Sequence, residues 1–461
     1  MLTADRTRTL APYVFADIDG EIRAMQQKGQ SVINLGISDP NQAPKREILE
    51  SMLSSAKAID SHRYPPLRGM AGLRRRVAEW YRQRFGVRLD PEREVLITPG
   101  SKEALIHLSL AVVDPGGLIL APDPGYPAYA MPHALFGMDQ QWVPLIAEQD
   151  YLPVISQVRA GDLERAQLMY VNYPNNPTGA VADRRFWQDL VEQARRWDFV
   201  ICSDLAYADI VYEGRATSIL EVAEARSVAV ESITFSKSFN MQGWRLSAMV
   251  GAPEIIDALY RVESQVNGGV YTPIQEAGMT ALEVGPDPAV LESYRERRQI
   301  LGQGLAELGL RFEWPKASVY FWAALPDRVG NAQEYAGRLL HEARVAVTPG
   351  TAFGPSGLRG YSRHGGFLSG MVLGGSLGLV VGSLPIAGRG SRQSFSPSLS
   401  AISGAFLGAV AGALVDYGLS RLRAEGKDYR LGKGRVLIAV RTRRPGEVRS
   451  LFRRFGASLP K

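Results

Sequence analysis

Between residues 94 and 251 the chain alternates short, β-rich apolar runs with amphipathic helical stretches, and that rhythm leaves few folds open. The runs lie at 95–98, 118–121, 168–171, 199–202, 233–235 and 248–251. Strands separated by a helix's worth of chain pair in parallel, because a parallel neighbour is reached only through a long crossover. The expected core is therefore α/β, a mostly parallel sheet covered by helices. Ligands of such sheets bind beyond the carboxyl ends of the strands, which makes the residues just after each run the site candidates.

At 461 residues the chain exceeds the usual single-domain range, so a second core is expected. Helices at 255–266, 272–283 and 288–308, then strands near 311–314, 318–323 and 345–348, read as an α+β lobe joined to the N-terminal segment. The domain expectation is a large lobe at 36–254 and a small lobe made of 1–35 and 255–363, with an active site between them.

After Arg363 the character changes. Residues 365–388 and 393–415 carry no charged side chain, and glycine recurs every fourth position at Gly366, Gly370, Gly374, Gly378 and Gly382, then at Gly404, Gly408 and Gly412. That spacing places the glycines on one helix face, which suits close helix association in lipid. A glycine-zipper hairpin over 364–420 in contact with a membrane through 365–415, a buried soluble helix pair and a Gly/Ser-rich insertion are the three readings of this stretch. A basic strand-helix tail is expected at 421–461. From Arg421 onward 13 Lys+Arg stand against 3 Asp+Glu, so the overall charge of +6 belongs to the tail and residues 1–420 sum to −4.

Composition excludes several classes. Acids and bases run throughout residues 1–30, so no secretion signal is expected and the chain reads as cytoplasmic. Cys202, the one cysteine, lies mid-strand as an inert thiol, and with five histidines it forms no metal-spaced cluster. The tail has no recognisable nucleic-acid motif, so no nucleic-acid partner is expected.

The chemistry-bearing residues gather after the strands. Gly100-Ser101-Lys102 opens a helix whose free N–H groups and positive dipole end face outward, a ready anion site. Thr234 and Ser236 add hydroxyls, and Arg245, eight residues beyond Lys237, adds a charge-assisted and bidentate-capable contact. Asn176 stands in Tyr173-Pro174-Asn175-Asn176-Pro177-Thr178-Gly179, while Asp204 and Tyr207 end an apolar run. Taken singly, Asp204 could be a helix cap, Asn176 a turn residue and Tyr207 a core tyrosine.

Seven motifs in order resolve that ambiguity: Ile33-Asn34-Leu35-Gly36, His62-Arg63-Tyr64-Pro65, Gly100-Ser101-Lys102-Glu103-Ala104, Pro122-Asp123-Pro124-Gly125-Tyr126-Pro127, Asn175-Asn176-Pro177-Thr178-Gly179, Ser236-Lys237 and Gly243-Trp244-Arg245. Through them the chain resembles the class I/II aminotransferases of fold type I over about residues 33–363, in the branch that includes LL-diaminopimelate and some alanine aminotransferases. The resemblance implies pyridoxal 5'-phosphate as cofactor, bound covalently by Lys237, which also moves the substrate's α-proton. It implies Asp204 on the pyridine nitrogen, Asn176 and Tyr207 on the ring's phenolic oxygen, and Tyr126 stacked on the ring. Ser101, Lys102, Thr234, Ser236 and Arg245 would bind the phosphate. Tyr64 would reach the phosphate of a neighbouring subunit in a homodimer, Gly36, Asn176 and Arg363 would meet the substrate, and Asn176-Pro177 would be cis. The reaction implied is ping-pong transfer between an amino acid, LL-diaminopimelate by preference or else alanine or another small amino acid, and a 2-oxo acid such as 2-oxoglutarate.

The resemblance departs after Arg363, where the family continues with a strand and helix and this sequence continues with His364-Gly365-Gly366 and no apolar strand pattern. A natural fusion, a sequence-assembly artefact and an insertion ahead of a resumed strand at 436–440 are three accounts. A catalytically impaired, membrane-associated protein that still binds the cofactor is the rival function.

Overall fold

The computed structural model describes residues 3–10, 14–39, 41–325, 331–356 and 367–372. After a short β1 (Ile33–Asn34), the strands β2 (Val95–Thr98), β3 (Leu118–Asp123), β4 (Asp139–Pro144), β5 (Ala166–Asn172), β6 (Val200–Asp204), β7 (Ala229–Thr234) and β8 (Ser247–Gly251) follow in chain order. The last seven form one sheet in the order β2-β8-β7-β6-β5-β3-β4. β8 runs antiparallel to both neighbours and every other pair is parallel. All six expected strands are present. β4 was missed because it is an edge strand that reads Asp-Gln-Gln-Trp-Val-Pro, polar where a central strand would be apolar.

Alternation within each strand divides the core in two. Leu168 and Tyr170 of β5 join the cluster of Leu96, Leu105 and Leu259, whereas Met169 and Val171 join the cluster of Val77, Tyr81 and Trp187 on the opposite face. Both faces are covered by helices, as a parallel sheet requires, and burying each Leu, Ile or Phe there contributes about 1.5–3 kcal/mol. Cys202 is fully buried on β6, where burial pushes its thiol up, in line with an inert role.

Glu231, in the middle of β7, is also fully buried. Its carboxylate accepts from Tyr81 Oη (2.9 Å), Ser218 Oγ (2.5 Å), Ser203 Oγ (2.9 Å) and the Ile219 N–H (3.2 Å), tying helix, loop and two strands together. Burial nevertheless pushes its carboxyl from the ordinary 4.5 up to about 7, against those hydrogen bonds. Between these values the unfolded chain has lost the proton that the folded chain keeps, so stability falls as pH rises. The parent should therefore lose stability relative to a Glu231→Gln variant from pH 4.5 to about 7, with a constant gap above. Thermal unfolding of both proteins across that window checks it, and a gap independent of pH would contradict it.

The small lobe adds β9 (Arg311–Phe312), β10 (Tyr320–Ala324), β11 (Val345–Ala346), β12 (Thr348–Pro349) and β13 (Phe367–Val372). β12, β13, β10 and β9 form an antiparallel sheet in that order. Against it pack Tyr294, Leu301 and Leu305 from the helix Pro288–Glu307, a cluster that also takes in Leu35 and Tyr207. β1 pairs in parallel with β11, which fixes the N-terminal segment to this lobe. Asp123 at the end of β3 accepts from the Ser356 N–H at 3.0 Å, a direct tie between the lobes.

β13 corrects the reading of the C-terminal departure. Residues 367–372 open the stretch expected as a glycine-zipper helix, yet they form a strand held by β10 and β12 on either side. Glycine weakens a helix but is tolerated at a bulge, and Gly370 falls at the register shift opposite Phe321 and Trp322. Arg363, the rest of the expected hairpin and the basic tail lie outside the described residues. Among the described residues no helix is long and apolar enough to cross a membrane.

Candidate active site

β7 ends at Thr234, and Phe235, expected within the strand, instead begins the helical turn Phe235–Ser238. The turn forms because Thr234 Oγ1 accepts from the Ser236 N–H at 3.2 Å, and it throws Lys237 beyond the carboxyl edge of the sheet. Lys237 Nζ donates to the Ser38 carbonyl at 3.2 Å and to Ser38 Oγ. Burial lowers the amine from 10.5 to about 8, with Arg245 adding to the shift and Asp39 opposing it. A lysine so placed offers an uncharged nucleophilic amine far more readily than a surface lysine.

Asp204, at the end of β6, is buried, and burial raises its carboxyl from 3.8 to about 6. Oδ2 accepts from Tyr129 Oη at 2.9 Å, while Oδ1 is buried without a hydrogen-bond partner. Tyr129 is itself fixed, stacked on Tyr170 at 5.0 Å and set edge-on to Tyr126 at 5.7 Å. Asn172, at the end of β5, donates to the Asp204 carbonyl and accepts from the Asn176 N–H, both at 2.6 Å. The Asn176 side chain is buried with Oδ1 unpartnered, and the Asn176-Pro177 bond is cis, as expected. Tyr207 Oη lies 2.7 Å from Tyr320 Oη, which donates to Ser38 Oγ at 3.3 Å.

At the other end of the site the helix Ser101–Val112 starts after Gly100, whose φ of 112° favours glycine. A Cβ there would stand 2.2 Å from Arg245 Nη2, so the guanidinium lies directly over this turn. Arg245 donates to Glu103 Oε2 at 2.8 Å in a half-exposed pair. Thr234 Oγ1 and Ser236 Oγ are 3.0 Å apart. Ser101 and Lys102 are partly buried in the first turn of the helix. Both backbone groups of Gly36 are engaged, the N–H with Asn34 Oδ1 and the carbonyl with Thr348 Oγ1, each at 2.9 Å, so a substrate carboxylate would have to share that N–H. Tyr64 is 94% exposed and points away from its own chain.

The structure thus joins Asn176, Asp204 and Tyr126 through Asn172 and Tyr129, and joins Lys237 to Tyr207 through Ser38 and Tyr320. Asn172, Tyr129, Ser38 and Tyr320 are the residues that sequence reasoning missed. Tyr129 lay three residues past the Gly125-Tyr126 motif and Ser38 two past Gly36, close enough for the motifs to have drawn attention to them. Tyr320 carried no local mark.

This donor set fits pyridoxal phosphate. The buried, unpartnered Asp204 Oδ1 suits a ring N–H, and the buried Asn176 amide, whose Oδ1 is unpartnered, can be turned to offer its NH2 to the phenolic oxygen. A helix N-terminus with an arginine over it suits the phosphate. The sheet order, the reversed β8 and a lysine one turn beyond β7 define a pyridoxal-phosphate-dependent transferase of fold type I.

The chain belongs to the family aminotransferase class I and II, which it matches over residues 30–360. It is 41% identical over 367 residues to the LL-diaminopimelate aminotransferase of Moorella thermoacetica, covering 79% of this chain and 93% of that relative. It is 39% identical over 359 residues to the glutamate-pyruvate aminotransferase AlaC of Escherichia coli, covering 76% and 87%. Among solved structures, substrate-bound BacF from Bacillus subtilis superposes with a TM-score of 0.75 at 32% identity, covering 80% of this chain and 94% of that one. The aspartate aminotransferase of Thermotoga maritima gives 0.72 at 27% identity, covering 80% and 94%. The chain is therefore a pyridoxal-phosphate-dependent aminotransferase.

Proposed function

We propose that this aminotransferase takes LL-diaminopimelate as amino donor and 2-oxoglutarate as acceptor. The observation that carries the donor is the 41% identity to the Moorella enzyme across 93% of that enzyme's length. Alanine is the second reading, favoured by the likeness to the Escherichia coli glutamate-pyruvate enzyme. Full-length protein supplied with 2-oxoglutarate should form glutamate faster with LL-diaminopimelate than with alanine at equal concentrations. Turnover with alanine alone would transfer the assignment to the second reading.

Bound pyridoxal phosphate supplies the electron sink that stabilises negative charge on the substrate's α-carbon. The chain's own residues would do the rest. Asp204 Oδ1 would accept the ring N–H and keep that nitrogen protonated, with Tyr129 holding the carboxylate in place. Tyr207 would donate to the phenolic oxygen, and the Asn176 amide, which can turn either its oxygen or its NH2 toward a ligand, would donate beside it. Lys237, uncharged once released, would take the α-proton at Nζ and return it. Tyr126 would cover the ring and limit the entry of water. Ser101, Lys102, Thr234, Ser236 and Arg245 would hold the phosphate, with Glu103 giving up Arg245 to it. Gly36 and Arg363 would receive the substrate's α-carboxylate.

Tyr64 would complete the phosphate site of a second copy, so the working unit would be a homodimer. Its near-total exposure in a single chain supports this reading. Mixing and refolding inactive Tyr64→Ala and Lys237→Ala variants should then restore about a quarter of parental activity, since half the dimers gain one site with neither defect. Activity that stays at the level of the separate variants would place Tyr64 outside the partner's site.

A further inference from the structure

We infer that Ser38 and Tyr320 form a hydroxyl chain linking Lys237 to Tyr207, so that the proton on the lysine sets the direction in which Tyr207 donates. The inference rests on the reading of Lys237 as the reactive lysine and adds a positioning residue, Ser38, from a segment outside the motifs.

The geometry is continuous. Lys237 Nζ reaches Ser38 Oγ, Tyr320 Oη stands 3.3 Å from that oxygen, and Tyr207 Oη stands 2.7 Å from Tyr320 Oη. Tyr207 and Tyr320 are buried, at 4% and 7% exposure, with their rings edge to face at 5.7 Å, so neither hydroxyl is free to turn toward bulk water. Ser38 is held in register because the segment carrying it follows β1, which is paired to β11, and because Gly36 between them is bonded to Thr348.

Each hydroxyl has one proton to give and can accept two, so Ser38 Oγ can accept from both Nζ and Tyr320 Oη, as it does here, and the chain is forced into one direction only when Ser38 must donate to Nζ. With Nζ charged, the ammonium donates to Ser38. Ser38, which accepts from Tyr320 in this structure, is then free to turn and donate to Tyr320, and Tyr320 to Tyr207, which would leave the Tyr207 proton pointing away from the chain and into the site. With Nζ uncharged, its lone pair can accept from Ser38. The order then reverses, with Tyr207 donating inward to Tyr320. No atom is lost or gained in the switch beyond the single proton on Nζ. The lysine and the tyrosine that would share the cofactor are thereby coupled through Ser38 and Tyr320.

Ser38 also supplies two of the acceptors that stabilise the ammonium, its carbonyl and its hydroxyl. Removing the hydroxyl leaves burial less opposed, so Lys237 should lose its proton at lower pH. The test is the pH dependence of Lys237 acylation in the cofactor-free, full-length protein, read by mass spectrometry of its peptide under limiting reagent. In Ser38→Ala the midpoint should fall by about one unit, and Ser38→Thr should restore it. Tyr320→Phe should lower it by less. A midpoint in Ser38→Ala equal to the parent's overturns the proposal. If Ser38→Ala fails to fold, Ser38→Gly gives the same reading.

A parallel measurement separates this proposal from the assignment of the site. If pyridoxal phosphate binds covalently in the parent and not in Lys237→Ala, the site assignment holds whatever Ser38 does. If the midpoint responds to Ser38 while no lysine-dependent cofactor band forms, the hydroxyl chain stands and the cofactor assignment falls.

Discussion

Replacing Lys237 with alanine should lower kcat/KM by about 10⁴-fold or more. The size follows from two losses at one atom. The amine is the only side-chain amine that β7 and its helical turn carry to the carboxyl edge of the sheet, and on the proposed reading it would also carry the substrate's α-proton. Burial has already brought it to about 8, so the parent holds a usable fraction uncharged near neutral pH, a state that no neighbouring residue can supply. Folding should be little affected, because the partners of Lys237 are a backbone carbonyl and a serine hydroxyl and alanine leaves no charged group unpaired. Steady-state rates with LL-diaminopimelate and with alanine, beside the visible absorption of the cofactor, check this. Retention of more than a few per cent of the parental rate would remove Lys237 from the chemistry.

The second large effect belongs to Asp204. An Asp204→Asn variant keeps an oxygen for the Tyr129 hydroxyl and changes volume little, so it removes the charge almost alone. Loss of one pre-organised electrostatic contact in a dry site lowers kcat by about 10²–10³-fold. The pH behaviour gives a sharper signature. In the cofactor-free protein the carboxyl is raised from 3.8 to about 6, so between those values the unfolded chain releases a proton that the folded chain keeps. The parent should lose stability relative to the asparagine variant across that window, with a constant difference above it. Cofactor should stabilise the parent more than the variant, because a ring N–H at Oδ1 favours the charged carboxylate and offers the amide much less. Thermal midpoints of both proteins with and without pyridoxal phosphate measure the two gains. Equal gains on adding cofactor would mean that Asp204 does not meet the ring nitrogen.

The large lobe was legible because its strands are buried on both faces. β5 and β6 are continuous apolar runs between helical stretches, and no reading other than a parallel sheet fits them. Residues tied to local motifs were legible too: Lys237 after its serine, Asn176 ahead of its proline, Gly100 at the mouth of a helix. What could not be read are the pairings that close only in space. Tyr129 meets Asp204 across 75 residues, and Tyr320 meets Ser38 across 282; a nearby motif marks Tyr129 without naming its partner, and nothing in the surroundings of Tyr320 distinguishes it from a core aromatic. β4 hid behind the polar residues proper to an edge. β13 hid behind Gly370 and the glycines flanking it in sequence, whose four-residue spacing speaks for a helix only where no strand partner is waiting; β10 and β12 leave a gap of one strand between them, and backbone pairing fills it.

That gap decides how far along the chain the small-lobe sheet draws its strands. The match to the family ends at residue 360, but β13 continues to Val372 and lies inside its sheet rather than at the rim. A chain cut after Val372 would keep all four strands in contact, whereas a cut ahead of Phe367 would strand β12 on its own and unmake the lobe. Any shortened form intended to keep this sheet whole therefore has its earliest permissible stop after Val372.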